Sequence, residues 1–315
     1  MSTFFDDFTN YYFSPIVFIV GFTGNLFGMI VLSRKNLQSK LYMSHVYMYL
    51  LISDMFYLIT QLPITNIQQS YPSINPLIMA EWFCKLWVYT DLALANTSTM
   101  ILLYISVERL VAVKFPAKRL TLRKHKSILM FTIVITVINL IYYIPVYMYY
   151  HLNISNVNET NLTSVSCTIS TKDNQVISWM YLVFGEALPD LLMILCTLSL
   201  CMTIFQSRGR TEANRNIRKD VRFTITSITL NLAFIALTLP ISVVNFFSNI
   251  FVDTIFSFCN ILFFSAYAVN FYFLFAFNSI FREEIFSLMR INHSPTRVAP
   301  STASTLERNH RKSTF

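Results

Sequence analysis

The stretch "YISVERLVAVKFP", Tyr104–Pro116, closes a long apolar run with an acid and an arginine side by side, Glu108 and Arg109, and a basic tract follows. A membrane helix leaving the lipid has this form, because charge is tolerated again where water and headgroups return. The whole chain has the composition such a helix needs. It is 54% hydrophobic and 16% aromatic, with 13% charged residues, against about 25% charge in a soluble domain. A bilayer core takes about 20 apolar residues per helix. Seven such stretches are present, at 15–33, 44–65, 85–113, 127–149, 177–205, 221–248 and 254–277. They predict an all-α membrane protein, a seven-transmembrane helix bundle.

A net charge of +8 is compatible with a nucleic-acid partner, but its distribution excludes that reading. With the N-terminus placed outside, only Lys85 and Lys172 of the 24 Lys and Arg lie outside. Arg34, Lys35 and Lys40 form a first inner loop, Lys114 through Lys126 a second, and Arg208 through Arg222 a third. This is the positive-inside bias that sets topology. The protein is therefore expected in the plasma membrane with its N-terminus extracellular. "MSTFFDDFTNYYF" has no basic start and no cleavage site, so the first span is expected to act as the insertion signal. The chain divides into a short extracellular N-terminus (1–14), a membrane domain (15–290) and a disordered, Ser/Thr-rich basic tail (291–315).

Cysteines and sequons agree on the outside. Cys196, Cys201 and Cys259 lie within spans and read as small packing residues. Cys84 opens the third span and Cys167 lies in the second outer loop, both facing an oxidising compartment. As the two outer cysteines, they are expected to pair. The same loop, "HLNISNVNETNLTSVSC", carries glycosylation sequons at Asn153, Asn158 and Asn161. Asn96 is formally a fourth, rejected because it lies mid-span.

Set in order, these features resemble the rhodopsin-like (class A) G-protein-coupled receptors over essentially all seven spans. The resemblance is carried by Gly24-Asn25, by "LISD" ending in Asp54, and by Cys84, Ser98 and "ERLVAVKFP" in the third span. It continues in Pro145, Pro189 and Pro240, in Phe234 six residues before Pro240, and in "VNFYFLFAFNSIF" with "REEIF". Several positions depart from the family pattern. Thr238 stands where a span-six tryptophan is usual, and the span-four tryptophan is missing. Phe271 follows Asn270 in place of proline, Leu274 replaces the expected tyrosine, and Leu110 follows the arginine.

Ionisable groups inside a bilayer cost at least ~2.5–3.5 kcal/mol each, so each invites a reason. Asp54 sits mid-span. The resemblance implies that Ser98 and Asn270 approach it and that the three hold a sodium ion favouring the inactive state; no other cofactor is expected. Asp91 lies seven residues inward of Cys84, about 10 Å down the helix and on nearly the same face. It is expected to point into an outward-opening cavity and to bind a ligand's cation. Glu186 and Asp190 flank Pro189 and share a face, where they either join the ligand site or meet a neighbouring helix. Phe264, in "FFSAYAVN", is a further ligand candidate. Arg109 and Asp220, which begins span six, are expected at one depth at the inner face. They read as a resting lock assisted by Glu108, with Phe234 and Pro240 as the parts through which span six moves. "SIFREEIFSLMRI" reads as an amphipathic helix eight lying on membrane lipid.

These readings predict a receptor for a short, basic neuropeptide, signalling through heterotrimeric G proteins, with arrestin recruited by a phosphorylated tail. The "NF" of span seven and the following "FREE" resemble invertebrate FMRFamide-like peptide receptors. A biogenic-amine receptor using Asp91 is the alternative. A transporter is disfavoured by the odd span count and absence of repeats. Enzymatic activity is not expected, because no nucleophile motif or metal-spaced His/Cys cluster occurs.

Overall fold

In a computed structural model, the described residues are 8–41, 43–70, 75–114, 125–157, 162–169, 179–211, 215–246 and 253–290. Seven spans follow in chain order. Span one is Ser14–Leu32, span two Ser44–Ser70 and span three Glu81–Lys114. Span four is His125–Tyr142 extended by Ile144–Tyr149. Span five is a π-helical turn, Tyr181–Ala187, running into Leu188–Thr211. Span six, Arg215–Phe246, runs through Pro240. Span seven is the pair Asp253–Ala268 and Asn270–Phe277, bent by 53° at Val269. Among the described residues, six helices are long and apolar enough to cross a membrane, and the bent pair makes a seventh. The seven stretches read from the sequence all appear, displaced by a few residues at their ends. The tail from 291 lies outside the described residues.

Lipid tails are as apolar as leucine, so helix association rests on close approach and on interhelical hydrogen bonds. Span one supplies close approach. Three of the five glycines in the chain, Gly21, Gly24 and Gly28, fall at helical spacing on one face. A Cβ at Gly21 would lie 2.7 Å from that of Ala268 in span seven and 2.6 Å from Leu58 Cδ1 in span two. Spans three and four are joined by amides. Asn139 Nδ2 donates to the Ala93 carbonyl (2.7 Å) and to Thr97 Oγ1 (2.8 Å), and Asn96 Nδ2 donates to Asn139 Oδ1 (2.7 Å).

The bend in span seven has an identifiable cause. Sharp kinks arise at proline, at bulges, or where a side chain enters the helical ladder. Here Asn25 of span one donates its Nδ2 to the Tyr267 carbonyl at 3.0 Å, and Asn270 is drawn to span two, as described below.

The second connecting loop at the Cys84 end was not read as regular structure from the sequence. It forms an antiparallel hairpin, Tyr150–Val157 with Leu162–Ile169, pairing Leu152 with Cys167. Cys167 is disulfide-bonded to Cys84, and Cys167, Ile169 and Tyr150 pack against Val88, Tyr143 and Val146 of spans three and four. Asn153 is exposed on this hairpin, whereas Asn158 and Asn161 lie outside the described residues. Cys259 is buried beside Ile241 and Val244, and Cys196 and Cys201 are half-buried.

At the opposite end the amphipathic helix Ser279–Arg290 docks through Phe281 and Ile285. Its charge is not all on the outer side, because Glu284 is 3% exposed and meets Arg34 Nη1 at 3.0 Å. Asn36 Nδ2 also donates to Glu284 at 2.6 Å. Glu284→Ala is expected to loosen this helix by about 1–2 kcal/mol, the loss being moderated because Arg34 can turn to water. Amide exchange over 279–290 should accelerate about tenfold while the spans keep their protection.

Candidate ligand cavity and switch region

The site begins with helix faces. Asp91 follows Cys84 by two turns of span three, and Tyr57 of span two donates its hydroxyl to Asp91 Oδ1 at 2.9 Å. One turn nearer the hairpin, Gln61 Nε2 donates to Thr90 Oγ1 at 3.0 Å. Above them opens a cavity of about 310 Å³ bounded by spans two, three, five, six and seven. Asp91 and Glu186 line it, with Tyr57, Trp87, Phe263 and Phe264 among its aromatic walls. The Cys84–Cys167 bridge anchors the hairpin beside its mouth.

Glu186 sits on the π-helical turn and also lines a smaller, deeper chamber of about 20 Å³, about the room for one water. Asp190 borders this inner chamber rather than the larger one, with Phe234 and Thr238. Glu186 and Asp190 thus share a face, as their spacing predicts, but only Glu186 reaches both spaces. Thr238 is buried and donates to the Phe234 carbonyl at 2.9 Å. The small side chain in the usual tryptophan position leaves the inner chamber its room.

Tyr267 connects the cavity to the interior. Its ring lies 4.2 Å from that of Tyr57 and meets Phe234 edge-on at 5.8 Å. Its carbonyl is the one held by Asn25. Three residues on, Asn270 donates Nδ2 to Asp54 Oδ2 at 2.7 Å. Asp54 is fully buried, and its other oxygen has no hydrogen bond among the described residues. Ser98 is also fully buried there, close enough to act on the Asp54 carboxylate, and its hydroxyl donates to Ser53 at 3.0 Å.

Deeper still, Asn231 of span six donates to Ser106 Oγ (2.6 Å) in span three and to Thr197 Oγ1 (3.0 Å) in span five. Arg109, 2% exposed, pairs with Glu108 at 3.0 Å, and its guanidinium lies 5.5 Å from the Phe223 ring centre of span six. Adjacent helical residues diverge, yet the length of arginine lets it fold back onto the preceding acid. Asp220 begins one turn before Phe223; its side chain lies outside the described residues.

Tyr57, Tyr267 and Asn231 were not singled out in the sequence. Neutral polar residues in apolar runs were the signal, since polar groups in lipid gather at helix contacts.

Residues 24–275 match the 7 transmembrane receptor (rhodopsin family). The chain belongs to that family. No curated protein matches it individually. The receptor is thus a G-protein-coupled receptor, a multi-pass protein of the plasma membrane whose family receives extracellular ligands and acts on G proteins. Such proteins are signalling receptors, not enzymes.

Proposed function

We propose that the receptor is activated by a short, basic peptide entering at the hairpin end, which faces the extracellular side, and that it signals through heterotrimeric G proteins. One observation carries this reading. A cavity large enough for part of a peptide is lined by Asp91 and Glu186, and none of its described lining residues is Lys, Arg or His. A cation entering there gains charge-assisted hydrogen bonds. The hairpin beside the mouth offers surface for the rest of a peptide, and the "NF" and "FREE" resemblance favours FMRFamide-like neuropeptides. Asp91 also suits a biogenic amine, the second reading. Screening amidated basic peptides and amines on expressing cells, with a promiscuous G-protein calcium reporter, separates them. Responses to amines alone would overturn the peptide reading.

The Asp54 site fits a sodium ion. One carboxylate oxygen lacks a donor, hydroxyls of Ser53 and Ser98 lie alongside, and a hard cation takes oxygen ligands. A bound ion would supply positive charge to a carboxylate that burial otherwise disfavours, and Asp54 and Asn270 keep spans two and seven together in the resting state. Sodium is expected to weaken agonist binding severalfold in the wild type and to have no effect in Asp54→Asn, as measured by radioligand competition.

At rest, Arg109 is held by Glu108 and Asp220, and Asn231 clasps span six to spans three and five. Agonist favours a state in which span six moves out around Pro240, with Phe234 relaying the change. Asp220→Asn and Asn231→Leu are each expected to raise ligand-free signalling. Interhelical hydrogen bonds are worth about 0.6–1.7 kcal/mol in membranes, so each change should shift the resting ratio about three- to eighteenfold. The two sites lie about 16 Å apart along one helix, so their effects should add. Flat basal signalling at matched surface expression removes the clasp. Arrestin, the phosphorylated tail and glycosylation of Asn153, Asn158 and Asn161 belong to the same proposal.

A further inference from the structure

A hydroxyl with nothing to bind lies beside the arginine of the switch region. Tyr47, near the inner start of span two, is fully buried, and its hydroxyl has no hydrogen-bond partner among the described residues. Its ring belongs to the main apolar core, with Leu50, Ile105 and Leu274. Phenylalanine would fill that place equally well, and a buried hydroxyl left unpartnered is a net cost. The cost is confined to the resting arrangement if a second arrangement supplies the partner.

The register of spans two and three shows which partner is within reach. The two helices run antiparallel and are tied by Tyr57 to Asp91 and by Ser98 to Ser53. Arg109 lies three full turns inward of Ser98, so it shares the face turned to span two. Tyr47 lies two turns inward of Asp54, on nearly the same face. Measured from the Ser53–Ser98 contact, Tyr47 is about 9 Å inward and Arg109 about 16 Å. The Cα–Cβ bonds of a helix tilt toward its N-terminus. Span two begins at the inner end, so Tyr47 leans inward. Span three ends there, so Arg109 leans outward. The two long side chains thus lean toward each other, and the charges of Arg109 and Glu108 both act on the tyrosine. At rest the guanidinium is turned instead to Glu108 and to the Phe223 ring.

We propose that Tyr47 is a positioning residue for signalling: when span six moves out and Arg109 leaves Glu108, the guanidinium donates to Tyr47 Oη. The inference rests on the resting hold of Arg109 proposed above. A carboxylate binds a guanidinium more strongly than a neutral hydroxyl does, so arginine stays on Glu108 until that pair opens. Its five N–H donors then leave several for a G protein after Tyr47 has taken one. The hydroxyl has different interactions in the two states, and this difference shifts the population between them.

The test removes the hydroxyl alone. Full-length wild type, Tyr47→Phe, Glu108→Gln and the double variant are purified in detergent for ligand-free thermal melting. The same four are compared in cells for ligand-free signalling at matched surface expression. In the wild type, Tyr47→Phe should leave melting unchanged or raise it, because the hydroxyl is unpartnered at rest. In the Glu108→Gln background the same change should lower melting. It should also cut the raised ligand-free signalling about three- to eighteenfold, the range for one interhelical hydrogen bond. Loss of a packing contact would act with one sign in both backgrounds. Lower melting of Tyr47→Phe in the wild type overturns the inference, and this comparison decides even if Glu108→Gln folds poorly. Asp220→Asn then serves as the second background for signalling. Raised signalling that Tyr47→Phe leaves untouched removes the role of Tyr47 and leaves the resting hold standing. No rise in either background removes the hold itself, and the inference with it.

Discussion

Receptor carrying Gly21→Leu is expected to be absent from the cell surface. Span one meets spans two and seven at this glycine. An added Cβ would approach Ala268 Cα at 2.9 Å, and this is backbone that cannot swing aside. Leu58 on the other side could rotate, but Ala268 can yield only by moving its whole helix. Overpacking a fitted interior costs about 1–3 kcal/mol even for small insertions, and folded proteins hold only about 5–15 kcal/mol in reserve. Gly21→Ala should therefore lower the melting temperature measurably, and Gly21→Leu should leave no ligand-competent receptor. Gly24→Ala is a graded control. A Cβ there meets the Tyr272 ring at 3.0 Å, and a half-exposed side chain can give way. Normal surface levels of Gly21→Leu would show that spans one and seven do not approach this closely.

Loss of the Cys84–Cys167 bridge is expected to have the next largest effect. The bond closes a loop with a sequence separation of 83. In the chain-entropy account this corresponds to about 4.5 kcal/mol. That figure is an upper bound here, because spans three and four remain helical in lipid whether or not the bundle is assembled. Cys84→Ser, Cys167→Ser and the double variant should all lose ligand-protectable receptor to a similar extent, since one bond is removed in each. A double variant much better folded than either single one would assign the damage to a stray thiol instead. Near-normal melting of the double variant would mean that hairpin packing against Val88, Tyr143 and Val146 alone holds the loop.

Much of the bundle could be read before any coordinates. Long apolar runs are hard to mistake when every backbone group in lipid must bond internally, and the two outer cysteines left one pairing. Asp91 reached the cavity because a seven-residue spacing from an anchored cysteine fixes both depth and face. What escaped has physical causes. In the hairpin, Val165, Cys167 and Ile169 alternate with polar residues, but the segment was read only for its cysteine and its sequons. Glu284 was not singled out, because its partner Arg34 is distant in sequence. Asn139 and Asn231 carry no charge, so a search for costly ionisable groups passed over residues that join spans three to six. The bend in span seven depends on Asn25, 242 residues from the carbonyl it holds, and no local pattern signals it.

That bend behaves differently from one set by an imino ring. With Phe271 after Asn270, no covalent constraint prevents the ladder from re-forming; two amides, Asn25 and Asn270, oppose straightening. The kink angle is thus an equilibrium property, open to adjustment by whatever competes for those amides. Spin labels on either side of Val269 should report a distribution of distances rather than one, narrowing when Asp54 is neutralised or Asn25 is removed. In this receptor the hinge itself becomes a chemically tunable joint.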